Sequence, residues 1–274
     1  MNKNLIQRIA TALVAGSVVI AAIFFSPYGL WVFASVVAVL SLREFIYLMK
    51  VPKGYQRFAL IGGILIWLLA LAELLAENLS EIPPSVYFVL AILILPFMVI
   101  RMLFDKKVSQ PVPLLGNIVL GFVYCFLPLI LFYKISLPAI SSEYDPSLPL
   151  GILLLTWVLD SGAYFAGRWL GKHPLFPRIS PKKTWEGSIG GAVLCIALGV
   201  LLEKMLPAQP YNWIVIAAII SVFSQLGDLI ESMFKRSIEI KDSGSLLPGH
   251  GGMLDRFDGI YVSIPFLFLY FSLL

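Results

Sequence analysis

The sequence predicts an all-α polytopic integral membrane protein with about nine transmembrane helices. Of its 274 residues, 59% are hydrophobic and 13% are charged, whereas a soluble domain carries about 25% charged residues. Apolar runs recur along nearly the whole chain, and most approach the roughly 20 residues that a helix needs to cross a bilayer. Strands of a membrane β-barrel would alternate in polarity over about 10 residues, and these runs do not.

The predicted spans, in order, are residues 9–25, 28–42, 58–76, 85–104, 113–133, 150–167, 188–203, 211–230 and 259–274. The first follows Lys3 and Arg8, as the apolar part of a signal peptide would. Residues 24–28 (FFSPY) lack the small-x-small pattern of a cleavage site, so we expect an uncleaved first span. The two cysteines, Cys125 and Cys195, lie in apolar runs without metal-ligand spacing and are expected to be buried thiols.

The basic residues predict the orientation. With the N-terminus in the cytoplasm and the C-terminus outside, every Lys and Arg of the 20 except Lys134 and Lys204 falls on the inner side. We therefore expect a protein of the cytoplasmic (inner) membrane. The net charge of +4 follows from this topology, and no nucleic-acid partner is predicted. A basic inner face also attracts anionic lipid headgroups, by ~1 kcal/mol per residue near the surface.

Polar residues divide the chain into two predicted regions. Residues 1–149 hold about five helices without an ionisable residue well inside a membrane run, as expected of a scaffold. Residues 150–274 hold about four helices and two long cytoplasmic loops, 168–187 and 231–258. We expect the chemistry to lie in this second region.

Two aspartates interrupt membrane runs, Asp160 in the sixth span and Asp228 near the inner end of the eighth. A carboxylate at mid-membrane costs ~2.5–3.5 kcal/mol on insertion scales and usually faces a partner or a cavity. A helix–helix hydrogen bond or a proton relay is an open alternative for both. Asp228 shares a helical face with Glu231, Ser232 and Lys235. A solvated stripe accounts for Glu231 and Lys235 but not for Asp228, which suggests a metal and phosphate site.

The second loop supplies matching groups. Asp255 and Asp258 flank Arg256 at the start of the ninth span. Acidic residues in a first helical turn also favour the helix dipole, but a few carboxylate oxygens are the ligands that suit Mg²⁺. The preceding glycines Gly251 and Gly252 allow backbone N–H groups to approach an anion.

Asp242 and His250 also lie in this loop. Asp242 fits a metal-site orienter and a turn residue equally well. His250 has no Cys or His partner nearby, so we expect a structural or hydrogen-bonding role rather than zinc binding.

The first loop contains Ser180 and the pair Lys182 and Lys183, close to the start of the seventh span. Such a pair is commonly an inside-positive anchor. Basic and hydroxyl groups beside a helix start also suit a phosphate. Gly187 and Gly191 are spaced for close helix packing.

These residues resemble the motifs of the phosphatidate cytidylyltransferases, the CDP-diacylglycerol synthases. The motif positions that match, with fixed gaps, are Ser232, Lys235, Arg236, Lys241, Asp242, His250, Gly251, Gly252, Asp255, Arg256 and Asp258. Further matching blocks contain Thr156, Trp157, Asp160, Ser161, Ala163 and Tyr164, then Ser180, Pro181, Lys183, Thr184, Glu186 and Gly187, then Gln225, Gly227, Asp228 and Glu231. The N-terminal half matches only in hydropathy and span count.

The resemblance implies transfer of CMP from CTP to phosphatidate in the bilayer, giving CDP-diacylglycerol and pyrophosphate. It implies Mg²⁺, often a second cation such as K⁺, and a homodimer. Carried over by position, the metal carboxylates would be Asp228, Asp255 and Asp258. Phosphates would be handled by Lys235, Arg236, Lys241 and Arg256, and the predicted substrate-binding residues also include Asp160, Ser180, Lys183, Gly251 and Gly252.

Two other functions are alternatives. A CTP-dependent lipid or polyprenol kinase would use overlapping nucleotide chemistry. An ion-coupled transporter would use Asp160 and Asp228 for its coupling ion and would show inverted repeats. The polar residues cluster instead at one end of the chain and on one predicted side of the membrane, which favours the transferase.

Overall fold

The computed structural model describes residues 16–76, 84–137, 144–206, 210–240, 243–244 and 251–274. Helices account for most of these residues. In chain order they are α1 (Gly16–Phe25), α2 (Pro27–Leu48), α3 (Lys53–Ala76), α4 (Pro84–Phe104), α5 (Pro111–Gly121), α6 (Leu127–Ser136), α7 (Ser147–Leu170), α8 (Trp185–Met205), α9 (Trp213–Ser237) and α10 (Leu254–Ser272).

Within the described residues, six helical stretches are long and apolar enough to cross a membrane. They lie in α2, α3, the continuous stretch Pro111–Ser136, α7, α8 and α9. Helix α10 has 19 residues, but its first five include Asp255, Arg256 and Asp258. The all-α membrane class is confirmed in this form, and a helix overlaps each predicted apolar run, the first from Gly16 onward.

Several helices extend beyond the predicted spans on their polar sides. Helix α3 begins at Lys53 rather than 58, α9 continues to Ser237 rather than 230, and α10 begins at Leu254 rather than 259. Hydropathy marks only the part of a helix that lipid covers, so it misses turns that continue into the aqueous layer. Those added turns of α9 and α10 carry most of the candidate site.

A β-hairpin interrupts the predicted loop 168–187. Strand β1 (Pro174–Phe176) pairs antiparallel with β2 (Ser180–Thr184), with Pro174 opposite Thr184 and Phe176 opposite Ser180. The sequence predicts no strand here, because three and five residues are too few to show alternation. The predicted fifth span also contains an undetected π-helical turn, Phe122–Phe126, between α5 and α6.

The chain divides into two compact units, one comprising residues up to 33 and from 131 onward, the other residues 34–130. In the first, α7 to α10 pack through residues with little or no side chain. A Cβ on Gly191 would lie 2.6 Å from the carbonyl oxygen of Leu159, and one on Gly187 would lie 2.8 Å from that of Ala163. The predicted packing role of both glycines is therefore confirmed.

The second unit packs α3 and α5 against the latter part of α2 around aromatic side chains. A Cβ on Gly63 would meet Leu42 and Phe126 at 2.8 and 2.9 Å, and one on Gly121 would meet Leu42 at 2.9 Å. Small residues thus allow close helix contact here too. The predicted division at residues 149 and 150 concerns function, and it stays a prediction.

Candidate active site

One face of α9 carries the polar groups that the sequence placed together. The hydroxyl of Ser232 donates to Oδ1 of Asp228 at 3.3 Å, and Nζ of Lys235 donates to Oε2 of Glu231 at 3.0 Å. Both contacts join residues four apart, as expected for neighbours on a helix surface. The shared face is confirmed. The solvated stripe is wrong for Glu231 and Lys235, because both are buried.

Glu231, Lys235 and Asp255 form what we call the buried cluster. Their side chains are 0%, 11% and 10% exposed. Lys235 Nζ lies between the two carboxylates, 3.0 Å from Glu231 Oε2 and 2.6 Å from Asp255 Oδ1. Since a buried charge is tolerated only when it is paired, this lysine makes the burial of two acids possible. Within the described residues, Oε1 of Glu231 has no hydrogen-bond partner.

Asp255 also fixes the polar segment that precedes α10. Its Oδ2 accepts the backbone N–H groups of Ser243 at 3.2 Å and of Gly252 at 2.9 Å. Gly251 has φ +80, in the left-handed region, and a Cβ there would lie 2.8 Å from the same Oδ2. One N–H of the glycine pair is therefore directed at a carboxylate of the protein, and the predicted phosphate role of Gly251 and Gly252 stays a prediction.

Lys183 and Asp228 form what we call the accessible ion pair, between Nζ and Oδ2. Their side chains are 28% and 39% exposed. Lys183 reaches α9 because strand β2 ends at Thr184, which caps α8 by accepting the N–H of Gly187 at 3.2 Å. The sequence predicts a role for Lys183 and for Asp228 but not their pairing.

Arg236 of α9 connects this helix to the hairpin through a hydrogen bond. Its Nε donates to the carbonyl oxygen of Ile179 at 3.4 Å, and its NH1 donates to that of Ile240 at 2.9 Å. A guanidinium has five N–H donors, so these two contacts leave donors for a phosphate. Ser180, half-buried, begins the strand that follows Ile179.

Three carboxylates from three helices influence one another electrostatically. Asp160 of α7 interacts with Asp228, and Asp258 of α10 interacts with Asp228, with Glu231 of the buried cluster and with Asp160. The positive charges of Lys183 and Arg256 stabilise the ionised form of Asp160, whereas the negative charge of Asp228 destabilises it. Asp258 Oδ1 also accepts the N–H of Gly259 at 2.7 Å. Asp258 is therefore within electrostatic reach of Asp160 and Asp228 and also of the buried cluster, to which Asp255 belongs.

This acidic group has the donor chemistry of a magnesium site, since hard oxygen ligands suit Mg²⁺. In the described parts of the chain, no three Asp, Glu, His or Cys side chains converge so as to hold one ion. Three other residues of interest, Lys241, Asp242 and His250, lie outside the described residues, so their roles stay predictions.

Known proteins resemble this chain along its length. The model of the cytidylyltransferase family matches residues 6–274. A phosphatidate cytidylyltransferase of Bacillus subtilis is 33% identical over 97% of both chains. Phosphatidate cytidylyltransferases of Brucella suis and Staphylococcus epidermidis are 48% and 46% identical over shorter stretches, 43% and 42% of this chain and 44% and 45% of theirs. This chain is therefore a member of the cytidylyltransferase family.

Proposed function

We propose that this protein is a phosphatidate cytidylyltransferase, which transfers CMP from CTP to phosphatidate and releases pyrophosphate. The observation that carries the proposal is the ion pair between Lys183 of the hairpin and Asp228 of α9, a carboxylate that interacts electrostatically with Asp160 of α7 and Asp258 of α10. Cations beside clustered oxygen ligands are what a reaction between two polyanions requires.

In the reaction, an oxygen of the phosphatidate phosphate attacks the α-phosphorus of CTP. A new phosphorus–oxygen bond forms, and the bond from that phosphorus to the β-phosphate oxygen breaks. The nucleophile is already an anion, so no general base is required. The protein contributes positioning and charge stabilisation. Lys183 and the exposed Arg256 are suited to neutralise the phosphates.

The buried cluster supports this site by fixing the start of α10. Lys235 is held by Glu231 and Asp255, and Asp255 holds the N–H groups of Ser243 and Gly252. These contacts fix the start of α10, from which Asp258 and Arg256 project. A direct phosphate contact by Lys235, as the family resemblance implies, requires Nζ to exchange one carboxylate for a phosphate oxygen.

We propose Mg²⁺ as cofactor, with Asp228 and Asp258 as ligands. When bound, the ion would stabilise negative charge on the reacting phosphates. For Asp255, a ligand role requires that Lys235 or the N–H groups release one oxygen. A second cation such as K⁺ rests on the family resemblance alone.

Thermal unfolding without substrate tests the metal proposal. Mg²⁺ should raise the Tm of the wild-type protein, because a ligand that binds only the folded state stabilises it. Asp258→Asn should abolish this increase and leave the Tm without Mg²⁺ unchanged or higher, because it removes like-charge repulsion. A full Mg²⁺ response in the variant would exclude Asp258 as a ligand.

We further propose nine spans, a cytoplasmic N-terminus, an external C-terminus and a homodimer in the inner membrane. The basic residues support this orientation, and the dimer rests on the resemblance. Single cysteines at Lys106 and Lys204, labelled in right-side-out vesicles with an impermeant maleimide, should react only at 204. Labelling at 106 alone would show that the orientation is the reverse of the proposed one. The mass of the protein in detergent tests the dimer.

The activity itself is tested with purified protein, labelled CTP, phosphatidate and Mg²⁺. We expect CDP-diacylglycerol and pyrophosphate in equal amounts. Phosphorylation of a lipid alcohol without CDP-diacylglycerol would instead favour the kinase alternative and contradict the proposal.

A further inference from the structure

A polar cleft of about 540 Å³ lies within the unit of residues 34–130. It is formed where α2 and α4 end and where α3 and α5 begin. Its polar lining includes Lys50, Tyr55, Asp105, Lys107 and Asn117. None of these residues belongs to the candidate active site. A site at the ends of four apolar helices stands at the level where lipid headgroups lie.

The charges around the cleft favour an anion. Lys50 and Lys107 line it, and the guanidinium of Arg101 lies 5.1 Å from the ring centroid of Tyr55. Among the lining residues that the structure describes, Asp105 is the one carboxylate, and its oxygens are already engaged. Oδ1 accepts the N–H of Lys107 at 3.0 Å, and Oδ2 accepts the hydroxyl of Tyr55 at 3.1 Å.

Engagement of Asp105 stabilises the loop that presents Lys107. The N–H of Lys107, and then the hydroxyl of Tyr55, lower the pKa of this carboxyl below its ordinary value. The ionised carboxylate therefore serves as a fixed acceptor for the loop. With Lys50, Lys107 and Arg101 around it, the cleft still carries an excess of positive charge.

Lys50 occupies a backbone position that normally favours glycine. Its φ is 52, in the left-handed region. The N–H groups of Lys50 and Val51 bond to the carbonyl oxygens of Tyr47 and Ile46, both at 3.0 Å, which closes the end of α2 as a Schellman motif. In this conformation a lysine lowers the free energy of unfolding by about 1 kcal/mol relative to glycine. This conformation ends α2 in the lining of the cleft, where Lys50 supplies an ammonium group.

Apolar side chains stand beside the same cleft. Leu103 and Phe104 at the end of α4 are 77% and 79% exposed, and Val112 at the start of α5 is 78% exposed. Phe104 and Val112 each lie one residue from a lining residue. A ligand with a charged end and apolar chains would satisfy both surfaces.

We propose that this cleft binds the phosphate-bearing headgroup of an anionic phospholipid, whose acyl chains lie along Leu103, Phe104 and Val112. The phosphate contacts Lys50 and Lys107, and Asn117 contacts the polar part beyond it. The volume lies within the 300–1,000 Å³ typical of small-molecule sites and exceeds the need of a lone phosphate ion. The inference goes beyond the proposed function, because it assigns a second lipid site that uses no residue of the reaction.

Native mass spectrometry of the full chain in detergent tests the proposal, with dioctanoyl phosphatidylglycerol as the probe. The test variant is Lys50→Asn with Lys107→Gln, since asparagine tolerates the left-handed conformation. The matched control is Lys53→Gln with Lys106→Gln, which removes the same charge from exposed lysines outside the lining. We expect phosphatidylglycerol binding to weaken about tenfold or more in the test variant, because two charged contacts are lost, and to stay near the wild-type value in the control.

Two further probes identify the source of the phosphate. Dioctanoyl phosphatidylcholine should bind more weakly than phosphatidylglycerol, and glycerol 3-phosphate, which lacks acyl chains, should bind more weakly still. Equal loss of binding in both double variants, or none in the test variant, would overturn the site. Glycerol 3-phosphate binding as tightly as phosphatidylglycerol would overturn the lipid assignment. Unchanged Tm values confirm that both variants are folded.

Discussion

Two lysine–carboxylate contacts lie three residues apart on α9 and differ in burial. The accessible ion pair joins Lys183 to Asp228, with 28% and 39% of the side chains exposed. The buried cluster joins Lys235 to Glu231 and Asp255, none more than 11% exposed. Water screens the first contact, whereas the second supplies the one cation that compensates Glu231 and Asp255 for their removal from water. The buried cluster thus supports the fold, whereas the accessible ion pair remains free to exchange partners.

Removal of the buried cation tests this contrast most strongly. Lys235→Met leaves two buried carboxylates without their cation and should lower the free energy of unfolding by about 3–5 kcal/mol. Denaturant titration in mixed micelles measures the change. A loss no larger than that of Lys183→Met would show that burial does not distinguish the two contacts.

Asp255→Asn should have an intermediate effect. The amide keeps the shape but loses the charge in the bonds to Lys235, Ser243 and Gly252, so we expect a loss of about 1.5–3 kcal/mol. Turnover should also be lost while expression and assembly persist. Hydrogen exchange should accelerate at residues 251–256. Asp145→Asn is the matched control, because that exposed carboxylate also accepts a backbone N–H at a helix start. It should lower the free energy of unfolding by less than Asp255→Asn does.

Lys183→Met should have the smallest effect on stability, about 0–1 kcal/mol. Its effect on catalysis should be large, roughly 10²–10³-fold in kcat, if the lysine stabilises charge in the transition state. The neighbouring exposed Lys182→Met is the control and should stay close to wild type in both measurements. Wild-type turnover in Lys183→Met would remove this residue from the proposed mechanism.

The helices could be predicted because lipid imposes one simple requirement, a long apolar run. Their polar ends could not, since hydropathy does not report whether a helix continues into water, as α9 does to Ser237. The hairpin of β1 and β2 depends on pairing between residues such as Pro174 and Thr184. Neither short strand carries that information by itself.

In the candidate site, too, local contacts could be predicted from the sequence and contacts between helices could not. Periodicity along α9 predicted the shared face of Asp228 and Lys235, because contacts four residues apart are local. The pairing of Lys183 with Asp228 and the burial of Glu231 arise from packing between helices, which one sequence does not reveal. The nearest signal for Glu231 was its position four residues before Lys235.

Helices α9 and α10 meet at their backbones beside two of the proposed ligands. A Cβ on Gly227 would overlap the carbonyl oxygen of Asp258, and one on Gly259 would overlap Oγ of Ser224. Membrane helices adjust their tilt when bilayer thickness changes. Rotation about a point of direct contact displaces the far ends of two rods much more than the contact itself. We therefore expect the separation of Asp228 and Asp258 to change little with lipid composition, and turnover to stay steady in membranes of different thickness.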